Sequence, residues 1–92
     1  MRGRMVALRK KFAKRLRKQI EAKGANIFLE DHLQRGKGWW TNNRKRTAFV
    51  TNFVYDGQMF MVCERDPLAA YHVALDRIKH YEAHPLEYLW MG

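Results

Sequence analysis

Residues 47–67 read TAFVTNFVYDGQMFMVCERDP and decide the fold class of this 92-residue chain. Two runs rich in aromatic and β-branched residues, 47–55 and 58–65, flank the dipeptide Asp56-Gly57. This dipeptide is typical of a two-residue turn in which both central residues have positive φ, and such turns join neighbouring antiparallel strands. The stretch therefore predicts a β-hairpin.

A turn of two residues also sets the register of the hairpin, and we expect Phe53 to lie opposite Phe60 and Val50 opposite Cys63. Side chains alternate along each strand, so Phe53 and Phe60 share one face while Met59 and Cys63 share the other. Both faces are apolar. We therefore expect both to be covered, one by each of two helices, with Cys63 buried and unreactive.

The hairpin is followed by a helix over 67–83. Asp66 is a suitable N-cap and Pro67 is favoured at the first helical position. Pro85 ends or kinks the helix, and the apolar tail 86–91 is expected to pack on the core or on a partner. The predicted buried stripe consists of Leu68, Tyr71, Ala74, Leu75, Ile78 and Tyr81.

A second helix is predicted over 5–23, before Gly24, which supplies a common helix stop. Its apolar stripe consists of Met5, Leu8, Phe12, Leu16 and Ile20. At 100° per residue, the opposite half of the helix carries the cations Arg4, Lys10, Lys11, Lys14, Arg15, Arg17 and Lys18. Arg9 is the exception, because it projects into the apolar stripe.

Between this helix and the hairpin, residues 26–33 are typical of a first strand. Residues 34–46 contain turn-forming Gly and Asn, which is compatible with a loop or with part of a strand. The chain is thus predicted to be one α+β domain over 1–92. Its order is α-β-β-β-α, with a three-stranded antiparallel sheet over 26–65.

Charge is distributed unevenly along the chain. Residues 1–23 hold ten basic side chains and one acidic side chain, which equals the whole net charge of +9. An ordinary solvated helix face interleaves Glu with Lys, whereas like charges four residues apart reduce helix stability. The basic helix face therefore favours an anionic partner.

The loop 34–46 is the second candidate binding segment. It combines cations with two tryptophans, a composition that suits phosphate contacts and stacking on a base. Trp39 and Trp40 are neighbours, so on a strand one would point inward and one outward. The predicted binding residues of this segment are Arg35, Lys37, Trp39, Trp40, Arg44, Lys45 and Arg46.

Nothing in the sequence points to catalysis or to a cofactor. The chain has no serine, and no phosphate-binding Gly loop or Cys-x-x-Cys motif is present. The carboxylates Glu30 with Asp31 and Glu64 with Asp66 could suggest a metal-dependent nuclease, but such spacings are common by chance. The polar residues His72, Asp76, His80 and His84 follow at four-residue steps, and we expect a solvated helix face there rather than a metal site.

We therefore predict a non-catalytic nucleic-acid-binding protein, acting on DNA or RNA. The alternative is a small interaction protein, of the kind that viruses and mobile elements encode. Such a protein would dock on a larger nucleic-acid-processing enzyme and inhibit or modulate it. No apolar run is long enough to cross a membrane, and the lone Cys63 favours a reducing, cytoplasmic location.

Overall fold

A computed structural model describes the backbone of residues 2–35 and 46–88 and the side chains of residues 7–32 and 48–87. The predicted order of elements, a helix, three antiparallel strands and a C-terminal helix, is confirmed. A further short helix begins at Pro85. The elements are α1 Arg2–Ala22, β1 Asn26–Arg35, β2 Arg46–Tyr55, β3 Gln58–Glu64, α2 Pro67–Ala83 and α3 Pro85–Tyr88.

The hairpin of β2 and β3 has the predicted turn and register. Asp56 and Gly57 have φ values of 51° and 77°, as a type I′ turn requires. Phe53 lies opposite Phe60, and their rings stack with centroids 5.0 Å apart. The dipeptide and the alternation of the strands therefore determine this part of the fold locally.

β1 pairs with β2 along its whole length and is longer than the predicted strand 26–33. A bulge interrupts the pairing between Ile27 and Leu29. Ile27 lies opposite Phe53 and Glu30 lies opposite Thr51, and both of these β2 residues are buried on one face. Residues three apart normally point to opposite faces, so the bulge is what brings Glu30 to the same face as Ile27.

One face of the sheet carries the hydrophobic core. Phe53 and Val62 are almost fully buried there, in one cluster with residues of both long helices, such as Ile20 and Ile78. α1 packs mainly against α2, and α2 packs on β2 and β3. The prediction that each helix covers a different face is therefore wrong, because α1 uses its apolar side to contact α2 instead of the second face.

The second face of the sheet is left open by the described elements. Leu29, Met59 and Met61 have exposed fractions of 49%, 73% and 64%, and Cys63 is exposed as well. The expectation that Cys63 is buried is thus wrong. Its strand neighbours are apolar, as predicted, but no helix covers them.

α2 begins and ends at the predicted residues. The Asp66 carboxylate accepts a hydrogen bond from the Ala69 N–H at 2.9 Å, which caps the helix. Five of the six predicted stripe residues are buried, and Leu68 is half-buried. Leu86, in the predicted apolar tail, is 72% exposed, and residues 89–92 lie outside the described residues.

α1 presents a different side to the core from the predicted one. Ala13 and Ile20 are buried, whereas Leu8 and Phe12 are each 47% exposed. The buried side is rotated from the predicted stripe by about 60°, given the 100° between successive residues. The rotation follows from tertiary packing: α1 packs against α2, and Ala13 and Ile20 belong to the common core cluster, whereas the larger Leu8 and Phe12 remain about half exposed.

Candidate functional site

Cations of α1, and of the residue just after it, are bound to carboxylates of other elements. Arg9 pairs with Asp66 at 2.7 Å, Arg17 with Glu30 at 3.0 Å and Lys23, which follows the last residue of the helix, with Glu82 at 3.2 Å. These pairs join two positions within the helix and the residue after its end to the rest of the domain. Each is partly exposed, so each adds about 0–1 kcal/mol to stability and mainly fixes the position of α1.

The Arg9 pair explains why a cation lies on the packed side of the helix. Asp66 caps α2 with one carboxylate oxygen and accepts from Arg9 with the other. Partial desolvation opposes ionisation of Asp66, but the hydrogen bonds from Ala69 and Arg9 outweigh it and lower the pKa of this carboxyl. Asp66 is therefore ionised at neutral pH and neutralises Arg9.

Arg17 is half-buried and belongs to a polar cluster, so its predicted place on the exposed half of the helix is wrong. Its guanidinium donates to Glu30 and also pairs with Glu21, while the Tyr71 hydroxyl donates to the other oxygen of Glu30. Burial and the bond to Glu30 raise the pKa of Tyr71. Arg17 therefore has a structural role in the folded protein.

The other cations of α1 whose side chains are described form an exposed face with no acidic partner among the residues that the structure describes. They share one long side of the helix, and only Arg15 has a further contact, its guanidinium carbon lying 5.8 Å from the centroid of the Phe12 ring. This set, which we call the cationic face, consists of Lys10, Lys11, Lys14, Arg15 and Lys18.

A cleft of about 390 Å³ lies beside the cationic face, between α1, the start of α2 and β1. Ala13, Pro67, Leu68 and Tyr71 line the cleft, and we call these four residues its floor. Its surface is almost entirely apolar, so the charged side chains that also line it contribute mainly carbon atoms. The volume falls within the range of about 300–1,000 Å³ found for ligand pockets.

Most of the charged side chains that border the cleft are cationic. Lys10 and Lys14 of the cationic face line it, as do the paired Arg9 and Arg17, together with the acidic Asp66 that neutralises Arg9. His32 of β1 also lines the cleft. Its ring contacts the Phe49 ring edge-on, with centroids 4.8 Å apart. The cleft thus combines an apolar floor with a positively charged rim.

The predicted binding residues of the loop 34–46 fall largely outside the described residues. Lys37, Trp39, Trp40, Arg44 and Lys45 lie there, so their role stays a prediction. Arg35 and Arg46 are opposite each other at the end of the β1–β2 ladder, but their side chains, like that of Arg4, are not described.

Two of the four carboxylates that could suggest a nuclease are engaged in the structure of the domain. Glu30 accepts from Arg17 and Tyr71, and Asp66 caps α2. His80 and His84 each lie 3.8 Å from a carboxylate oxygen of Glu87. Among the side chains of 7–32 and 48–87, no group of three or more His, Cys, Asp or Glu could hold a metal ion.

None of the helices within 2–35 and 46–88 is both long enough and apolar enough to span a membrane. No family model, curated protein or solved structure matches the chain. Functional inference therefore rests on the geometry and chemistry of the chain itself.

The sequence did not predict the cleft. Its floor combines Ala13 of α1 with positions 67, 68 and 71, which are more than 50 residues away along the chain. Of these, Leu68 and Tyr71 are in the predicted buried stripe, which indicates a core position and not a cleft. The only local signal was Arg9, because a cation within an apolar stripe requires a nearby carboxylate. That signal predicts an ion pair, but not a cleft beside it.

Proposed function

We propose that this protein binds nucleic acid without catalysing a reaction on it. The observation that carries the proposal is the contrast, along α1 and the residue that follows it, between cations with partners and cations without them. Arg9, Arg17 and Lys23 each contact a carboxylate, whereas the cationic face has none in the described part of the chain. A partner that supplies the missing negative charge accounts for this contrast.

The arrangement of the cationic face suits a polyanion. Lys11 and Lys18 are seven residues apart, which separates them by about 10 Å along the helix axis. Like charges at four-residue spacing, such as Lys11 with Arg15 or Lys14 with Lys18, each reduce helix stability by a few tenths of a kcal/mol. Phosphates lying along the helix would remove this repulsion and release their own counterions.

The topology also supports a contribution from the second basic segment. His32 lines the same cleft as Lys10 and Lys14, and β1 continues from His32 to Arg35. Arg35, which pairs with Arg46 next to segment 36–45, is three residues beyond His32, or about 10 Å along the strand. Phosphate contacts by α1 and stacking by a tryptophan of the segment are compatible in this arrangement.

The alternative, docking on the acidic surface of a larger enzyme, uses the same charges. The apolar cleft beside the cationic face favours this second function, because a polyanion alone does not need an apolar floor. The proposed location is the cytoplasm, on the basis of the single Cys63.

The deciding experiment measures binding by fluorescence anisotropy. Labelled single- and double-stranded DNA and RNA of equal length are titrated with the protein at about 150 mM salt, with labelled polyglutamate as the matched non-nucleic polyanion. We expect sub-micromolar binding to at least one nucleic acid and at least about tenfold weaker binding to polyglutamate. Equal affinities, or no binding at this salt concentration, would remove nucleic-acid binding as the function and leave docking on a protein.

A further inference from the structure

We propose that the cleft between α1 and the start of α2 binds an acidic segment of another protein, which inserts apolar side chains between Lys10 and Lys14 on one wall and Leu68 on the floor. The inference does not depend on nucleic-acid binding. It rests on the size and lining of the cleft and on the charge of its rim.

The size of the cleft sets how much of a partner it can hold. A cavity of about 150 Å³ holds one benzene ring, so a cleft of about 390 Å³ has room for about two such groups. Two leucine or phenylalanine side chains from one helical turn have this size, and amphipathic segments bind grooves through pairs of this kind.

The floor selects apolar groups. Ala13, Pro67 and Leu68 offer no side-chain hydrogen-bonding atom, and the Tyr71 hydroxyl is bound to Glu30. A nucleobase would bury a polar edge here without partners, at a free-energy cost that an aliphatic or phenyl group does not incur. The floor therefore favours a protein side chain over a base.

The rim selects negative charge. Arg9 and Arg17 are held by Asp66 and Glu30, so they form fixed walls whose charge is already balanced. Lys10 and Lys14 are exposed and have no carboxylate partner among the residues described. Carboxylates that flank the inserted side chains would pair with these two lysines, which gives charge complementarity to an acidic segment.

This site is separable from the rest of the cationic face. Lys11, Arg15 and Lys18 do not line the cleft and, at 100° per residue, point away from the buried side of α1. Substitutions at these three positions affect a polyanion and leave the cleft unchanged. Lys10 and Lys14 belong to both surfaces, and Leu68 belongs to the cleft alone.

The test uses the full chain and a synthetic 12-residue peptide with blocked ends. Its two leucines are four residues apart and its other positions are mainly glutamate. Two control peptides replace either the leucines by serine or the glutamates by lysine. Binding is measured by ¹⁵N–¹H NMR at about 150 mM salt. We expect shifts at the amides of Ala13, His32, Leu68 and Tyr71, with each control peptide binding at least about tenfold more weakly.

Two pairs of variants then assign the contacts. The double variant Lys10→Glu with Lys14→Glu should weaken the leucine peptide about tenfold or more. The matched double variant Lys11→Glu with Lys18→Glu should change its affinity less than about threefold, because these charges lie outside the cleft and are screened over about 8 Å.

The floor is tested by Leu68→Gln against Leu86→Gln, an equal change at an exposed leucine of α3. Only the first should weaken the peptide. If Leu68→Gln unfolds the domain, the comparison of the two lysine double variants still shows whether the peptide binds in the cleft. The proposal is overturned if the serine peptide binds as well as the leucine peptide or if the shifts cluster around Lys11, Arg15 and Lys18. It is equally overturned if a single-stranded oligonucleotide, and not the peptide, shifts the floor residues.

Discussion

Removing three charges from the outer side of the cationic face should reduce the salt dependence of nucleic-acid binding by a defined amount. The perturbation is the triple variant Lys11→Gln, Arg15→Gln and Lys18→Gln. All three side chains are exposed and have no ion pair in the part of the chain that the structure describes. Each substitution should therefore change stability by no more than about 0.5 kcal/mol.

The magnitude follows from counterion release. If each cation of the cationic face neutralises one phosphate of a duplex, five of them contribute about −4.5 to the slope of log affinity against log salt, at about −0.9 per phosphate. The triple variant retains two of these contacts, or about −1.8. Between 50 and 200 mM salt, the face would then lose about 12-fold in affinity instead of about 500-fold.

Cations outside the described residues add equally to both slopes, so the difference between the two proteins is the quantity to test. We expect the slope of the triple variant to be shallower by about 2.7 for duplex and by about 2.1 for a single strand. The measurement is fluorescence anisotropy at four or more salt concentrations, with thermal denaturation to show that the fold is retained.

The matched control removes the same number of charges from the three cations of residues 47–92, through Arg65→Gln, Arg77→Gln and Lys79→Gln. Its slope should stay within about 0.5 of the wild-type value, because these residues are not on α1. A decrease of less than one unit in the α1 variant, or an equal decrease in the control, would refute the assignment of the cationic face to phosphates.

Three further predictions concern the fold that holds this face. Asp66→Ala should lower the free energy of unfolding by about 1–2 kcal/mol through loss of the cap. Asp66→Asn should lower the free energy of unfolding by less than Asp66→Ala, and its loss of stability relative to the wild type should vanish in acid. The pKa of Asp66 is lowered in the folded protein. The stabilisation by the charged carboxylate is therefore present above the ordinary carboxyl pKa and is lost as the pH falls through the pKa of the folded state. Urea unfolding at several pH values measures the stability of both variants. A loss of stability in Asp66→Asn that does not change with pH would contradict the ionic contribution. Phe53→Ala should lower the free energy of unfolding by about 3–5 kcal/mol, whereas Met59→Ala, at a 73% exposed position, should lower it by less than about 1 kcal/mol. Chemical denaturation measures both, and equal losses of stability in the two variants would argue against an open second face of the sheet. Cys63 should react with a thiol reagent in the native protein at a rate within about tenfold of the unfolded chain, and protection by several orders of magnitude would show that this face is covered in solution.

Features governed by neighbouring residues were predictable. The turn at Asp56-Gly57 and the cap at Asp66-Pro67 rest on local backbone preferences, and the hairpin register follows from the turn. The charge segregation of α1 is a property of the sequence itself. These features were enough to predict the α-β-β-β-α order and a cationic helix.

The tertiary structure alone decided which surfaces remain open. Periodicity shows that both faces of the hairpin are apolar, but both helices lie on the same face, which leaves Met59 and Met61 exposed. The bulge in β1 turns Glu30 inward, where it holds Arg17. Neither result has a local signal, because each depends on contacts between elements that are distant along the chain.

The cleft shows the same division. The sequence determined that α1 carries many cations, and only packing separated them into Arg9 and Arg17, which have partners, and Lys10 and Lys14, which do not. Arg9 meets Asp66 across 57 positions of sequence. Side-chain charge is encoded residue by residue, whereas its neutralisation depends on which carboxylate the fold brings within about 4 Å.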